Sequence, residues 1–327
     1  MALRTRLTDI FGIKHPIVLA PMDPASGGAL AAAVSAAGGL GMIGHGYGDP
    51  EILEREILLA GNQRVGCGFI TWSMAKNPAL LDTALSHKPA AMMLSFADPA
   101  PFAEKIRAAG IPLICQVHNL EHARRAIDAG ADVLVAQGTD AGGHGLTTRG
   151  TISLVPSVVD LVARERPKVL VLAAGGIADG RGIAAALMLG ADGALLGTRF
   201  WATQEALIHP SAKARVLSAT GDETVRTSVY DIARHRDWPV EYTGRLMRNT
   251  FIETWHGRED ELRALKGEQR KAVEEADRNG DYDTANVTVG EAIGLIQDLP
   301  PAGELVARLA ADTEARLIGV TRTVVTA

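Results

Sequence analysis

Eight short aliphatic runs, separated by Ala-rich amphipathic segments across the first 200 residues, leave this chain few folds to choose from. The runs are IVLA (17–20), LGMI (40–43), RVGCGFI (64–70), AAMML (90–94), PLICQV (112–117), DVLVA (132–136), VLVLA (169–173) and GALLG (193–197). None alternates apolar with polar residues, as expected of buried strands where helices cover the sheet. The segments between them, such as GALAAAVSAAG, PEILEREILLAG, FAEKIRAAG, EHARRAIDAG and RGIAAALMLG, read as helices. Several stop at a glycine just past the last periodic residue, a helix-ending signal. Strict strand–helix alternation with eight strands predicts an α/β fold of the (β/α)8 TIM-barrel type. An open doubly wound sheet is the alternative, but it usually has fewer strands.

Past residue 200 the pattern changes. Residues 203–290 carry more charge and fewer aliphatic runs, and EDELRALKGEQRKAVEEADRNGD reads as one solvated helix ending at Asn279-Gly280. The expected division is a barrel from residues 1–202 and 291–327, with 203–290 a mainly helical cap or insertion. That segment could serve as a lid or as a contact in a homodimer. Net charge is −5 without a basic run, and aromatic residues are only 4%. Both argue against nucleic acid, and the charge argues against an anionic membrane surface. No apolar run is long enough to span a bilayer, and MALRTRLTDIFGIKHPIVLAPM lacks the apolar core of a signal peptide. Cys67 and Cys115 sit in apolar runs and read as buried free thiols of a reducing, cytoplasmic setting.

Three motifs point away from the chemistry. Gly39–Gly44 spells G-x-G-x-x-G but follows a helix and contains the strand, the wrong order for a dinucleotide turn. Asp277–Thr288 starts like a calcium loop, yet has Tyr282 where Gly is needed and Thr288 where Glu is needed. The nine histidines show no ligand spacing, so no metal site is expected.

Chemistry in such barrels gathers at the C-terminal ends of the strands. Ala20, Pro21 and Met22 follow the first run, and Gln137 opens QGTDAGGHG after the sixth. Gly175 and Gly176 follow the seventh, just ahead of a helix starting near Asp179, and Gly197 and Thr198 follow the eighth. Bare glycine amides beside a helix N-terminus, on the last two strands, suit a phosphate. Gly142 and Gly143 let a flat cofactor approach the backbone, and the Gln137 amide can meet polar ring edges. His144 follows those glycines directly, and imidazole, with an ordinary pKa of about 6.5, suits proton transfer near neutrality.

PIVLAPM, AQGTDAGGHG, AAGGIADGRGIAAALMLGADGALLGTRF and GRLMRNTF together resemble the nitronate monooxygenase family, formerly called 2-nitropropane dioxygenases. The resemblance runs from about residue 7 to residues 244–249, and AGGHG is its most specific element. It implies a flavoprotein barrel holding non-covalent FMN. By the same resemblance, Ala20, Pro21 and Met22 lie against the flavin ring and Gln116 contacts it. Gln137, Gly142 and Gly143 line it, and Ala174, Gly175, Gly176, Gly197 and Thr198 bind its phosphate. His144 matches the catalytic histidine. The implied reaction is oxidation of an alkyl nitronate by O2 to a carbonyl compound and nitrite. Leu19, Gly68 and the Gly145-Leu146 pair depart from the family's usual Gln, Asn and Arg, all toward the substrate side. Two rivals remain on sequence. One is an NAD(P)H-dependent flavin barrel of the enoyl-acyl-carrier-protein or quinone reductase type. The other is a non-redox isomerase or lyase acting on a phosphorylated metabolite.

Overall fold

The fold is taken from a computed structural model that describes residues 3–323. All eight aliphatic runs form parallel strands. In chain order these are β1 (Ile17–Leu19), β2 (Gly41–Gly44), β3 (Val65–Ile70), β4 (Met92–Ser95), β5 (Leu113–Val117) and β6 (Val133–Gln137). A short strand outside the barrel, β7 (Gly143–Gly145), comes next, and β8 (Leu170–Ala174) and β9 (Gly193–Leu196) complete the sheet. Its order is β1-β9-β8-β6-β5-β4-β3-β2. A parallel bridge between Val18 and Leu40 brings its ends together, with Leu19 N donating to Leu40 O and Leu40 N to Ile17 O, each at 2.9 Å.

Strand side chains divide by the two-residue period. Val133, Val135, Leu170 and Leu172 point into the barrel, where they pack with Val18, Met42, Met93 and Ile114. Leu134, Ala136, Val171 and Ala173 point out against the helices. Leu7 and Phe11 of the N-terminal helix Arg6–Phe11 join the interior set. The helix Ala302–Thr323 contributes Leu305, Val306 and Leu309 to the outer layer. Gly41 of the glycine-rich decoy stands where a side chain would strike the backbone of Ala31, which is a packing role.

Residues 203–290 hold five α-helices, Pro210–Leu217, Val229–Ala233, Thr250–Trp255, Glu259–Ala264 and Gln269–Asn279. They also hold β10 (Thr224–Thr227) and β11 (Thr243–Met247), which the charge-rich sequence did not suggest. These two pair with β7 in an antiparallel sheet of order β10-β11-β7, so the loop after β6 is stitched to this segment. The solvated helix read over 259–279 is two helices, broken where Lys266 and Gly267 take left-handed backbone, φ 46° and 81°. Its end is where the sequence put it, with Gly280 as a left-handed cap. Tyr230, Leu246, Phe251, Ile252, Leu262 and Val273 give the segment its own small core.

Candidate active site

One cavity of about 660 Å3 opens at the C-terminal ends of the barrel strands, beneath the 203–290 segment. It is lined by Ala20, Pro21 and Met22 after β1, Gln116 on β5, Gln137 on β6, and Gly142, Gly143 and His144 beyond it. Ala174, Gly175, Gly176, Gly197 and Thr198 complete the far side. Every residue chosen from sequence therefore faces a single space, of a size usual for a cofactor with its substrate.

The backbone there suits a flat group with a phosphate. At Gly143 φ is +70°, and a side chain would meet only Thr288 Cγ2, at 3.6 Å, so the main chain is bare. Gly176 also has φ +70°, and a Cβ would press Asp140 Cβ at 3.2 Å. Among the described residues, the amides of Gly176 and Thr198 donate to no protein acceptor. Thr198 Oγ1 accepts from Gly290 N at 2.9 Å, which leaves its own proton to give. Gln116 is oriented from behind, its amide nitrogen 3.3 Å from His118 Nε2.

Three details differ from the sequence expectation. The helix Gly180–Met188 does start at Asp179, but the carboxylate of Asp179 accepts from Arg181 N and Gly182 N, and Asp312 accepts from Gly180 N. Those amides are spent, so an anion is left with Gly176, Gly197 and Thr198. The space beside Gly142 is filled by the backbone of Val289 and Gly290, at 2.5 and 2.6 Å from a Cβ placed there. Gly68, where the family often has Asn, lies under Pro21, and any side chain would collide with the proline ring.

His144 sits on β7 opposite Gly244 of β11. Its Nε2 lies 2.9 Å from Asp231 Oδ2, and both side chains are largely buried. Trp238 stacks on the imidazole with centroids 3.5 Å apart and planes 4° from parallel. Phe96 presents its edge to the ring at 6.3 Å. Gln137 Nε2 donates to His144 O at 2.7 Å. From β10, Arg226 donates to the carbonyls of Thr139 at 3.0 Å, Gly145 at 3.2 Å and Thr243 at 2.7 Å, clamping the loop that carries the histidine. Burial and the neighbouring Arg245 pull Arg226 down to about 10, so it stays charged near neutrality. Burial pushes His118 down to about 3, so it is neutral.

Asp231, Trp238, Phe96 and Arg226 were not reached from sequence. Trp238 had a signal, as a tryptophan in the charged stretch RHRDWPVEY of an aromatic-poor chain. Asp231 sits between Tyr230 and Ile232 in an apolar helix and could have been noticed as a buried acid. Phe96 and Arg226 had none. Trp72, weighed as packing or substrate contact, is not among the cavity residues and packs edge-on against Trp238 at 5.3 Å.

The family model described as nitronate monooxygenase matches residues 4–61 and 72–312. The nitronate monooxygenase of Neurospora crassa is 35% identical, covering 93% of this chain and 90% of its own. Among solved structures, FabK from Thermotoga maritima superposes with a TM-score of 0.86 at 30% identity, covering 99% of this chain and 100% of that one. The nitroalkane oxidase of Streptomyces ansochromogenes gives 0.77 at 29% identity, over 96% and 99%.

Proposed function

The chain belongs to the nitronate monooxygenase family, and from that premise we propose that it oxidises alkyl nitronates with O2 to a carbonyl compound and nitrite, using FMN. It is an oxidoreductase of flavin type. One observation carries the reading: the glycine turns, the two glutamines and His144, chosen as a flavin site from sequence, line the same cavity. The free amides of Gly176 and Thr198 and the Thr198 hydroxyl suit the single phosphate of FMN. When bound, the flavin supplies the electron acceptor for the substrate.

The protein's own part is placement. Ala20, Pro21 and Met22 give an apolar floor, and Gln116 and Gln137 offer polar contacts at a ring edge. Trp238, Phe96 and Tyr47 wall the mouth and limit water. His144 takes a proton from a neutral nitroalkane or, as imidazolium, holds the nitronate. No helix among the described residues is long and apolar enough to cross a membrane. A cytoplasmic setting agrees with the unpaired, buried Cys67 and Cys115. A homodimer is part of the proposal, to be read by light scattering.

The test is nitrite release from propionate 3-nitronate, nitroethane and 2-nitropropane, with the flavin identified after denaturation. A colourless protein would remove the redox reading in favour of a non-redox barrel. Rapid anaerobic bleaching by NADH, without any by a nitronate, would replace it with the reductase reading.

A further inference from the structure

We propose that Asp231 is a positioning residue that fixes which nitrogen of His144 carries the proton, leaving the other nitrogen as the base toward a nitroalkane. The proposal rests on the nitronate reading for the identity of the proton donor, and on geometry for the rest. An ionised carboxylate only accepts hydrogen bonds, so His144 Nε2, at 2.9 Å from Asp231 Oδ2, carries the N–H. The lone pair of the neutral ring then belongs to Nδ1. That atom bonds to no protein group among the described residues and is not one of the sealed, unpartnered atoms. This is the logic of a base oriented by a third group.

The ring has little freedom. Trp238 covers one face and Phe96 abuts its edge, while the Gln137 amide pins its own carbonyl. Asp231 is held as firmly by its short helix, Val229–Ala233. Tyr230 OH donates to Thr284 O at 2.7 Å and accepts from Asn249 Nδ2 at 2.8 Å. Arg236 N donates to Asp231 O at 2.9 Å. The other ionisable groups around the ring are otherwise occupied. Arg226, from β10, is spent on carbonyls. His118, from the end of β5, is neutral and lies behind Phe96, and burial raises the Tyr242 phenol to about 12. Asp231 is therefore the one carboxylate, among the described residues, that hydrogen-bonds the imidazole.

In the step this prepares, the C–H bond beside the nitro group breaks and its electron pair moves into the nitro group. The proton goes to Nδ1, and the nitronate results. The imidazolium that forms is paired with Asp231 and faces the Trp238 indole, a favourable cation–π arrangement. A nitronate supplied ready-made needs no such step. Loss of Asp231 should thus separate the two substrate forms.

The experiment combines 15N spectra of histidine-labelled protein with turnover of nitroethane and of ethylnitronate, in wild type, Asp231→Ala and Asp231→Glu, with His144→Ala to assign the resonances. The neutral His144 of the wild type should be protonated at Nε2, and Asp231→Ala should give mixed protonation. Nitroethane kcat/KM should fall about tenfold or more in Asp231→Ala, ethylnitronate should lose far less, and Asp231→Glu should recover part of the loss. A wild-type ring protonated at Nδ1 overturns the proposal, even if both variants misfold. Unchanged spectra in Asp231→Ala, or equal losses on both substrates, also overturn it. A wild type that releases no nitrite from either substrate defeats the functional reading instead, and the spectra still decide the Asp231–His144 pair.

Discussion

At the scale of single residues, two positions separate chemistry from cofactor binding. His144→Ala should leave the flavin bound, because the ring's partners are Asp231, Trp238 and Phe96, while the glycine turns offer backbone amides. Turnover of neutral nitroalkanes should fall by about 10²–10⁴, the usual worth of a general base; steady-state nitrite assays on flavin-saturated enzyme read this, and unchanged rates would remove His144 from the reaction. Gly176→Val puts a β-branched residue at φ +70° with its Cβ against Asp140. Flavin content per chain should drop while circular dichroism stays native, and full occupancy would contradict the nest. The place of both residues at the cavity was legible in sequence, since glycines at strand ends, one pair with a histidine behind it, are local patterns. Asp231 was not. It lies 87 residues from His144, and nothing local marks a carboxylate whose partner comes from another element.

At the scale of elements, the loop after β6 owes its shape to strands that come much later in the chain. Arg226 of β10 and Arg245 of β11 both donate to Thr139 O, and Arg245 also pairs with Glu291 at 2.7 Å. Arg226→Met would take the arginine donor from the carbonyls of Gly145 and Thr243, while Thr139 O keeps Arg245, at about 1–3 kcal/mol for each group left unsatisfied. Amide hydrogen exchange across residues 139–145 should accelerate, and the melting temperature should fall. Protection equal to wild type would show that β7 pairing alone holds the loop. The barrel strands were readable because each is a continuous aliphatic run, dictated by burial on both faces. β10 (TVRT) and β11 (TGRLM) were hidden because they are short, carry arginines and acquire their pairing only from β7. The single helix read over 259–279 failed at Lys266-Gly267, where one glycine outweighed an otherwise helical charge pattern.

For the whole molecule, acid should be the weak direction. His15, His45, His118 and His122 are all held below their ordinary value, chiefly by burial, His118 to about 3. His45 and His118 also have sealed nitrogens without partners, so a proton there gains no hydrogen bond. Below about pH 6.5 the unfolded chain takes up protons that the folded one refuses, so stability falls as pH drops from there toward 3. Each such group contributes a slope of up to about 1.4 kcal/mol per pH unit. Melting temperature followed from pH 7 to 5 should decline, and His118→Gln should flatten the decline; a level profile would sink this account. The barrel, and the place of His144 and its glycines at one rim, could be read from the sequence, because burial on both faces and glycines at strand ends leave local marks. The partners of that histidine and the clamp on its loop appear only in the folded chain. Those contacts join residues far apart in the chain, and their energy exists only once the 203–290 segment has closed over the cavity.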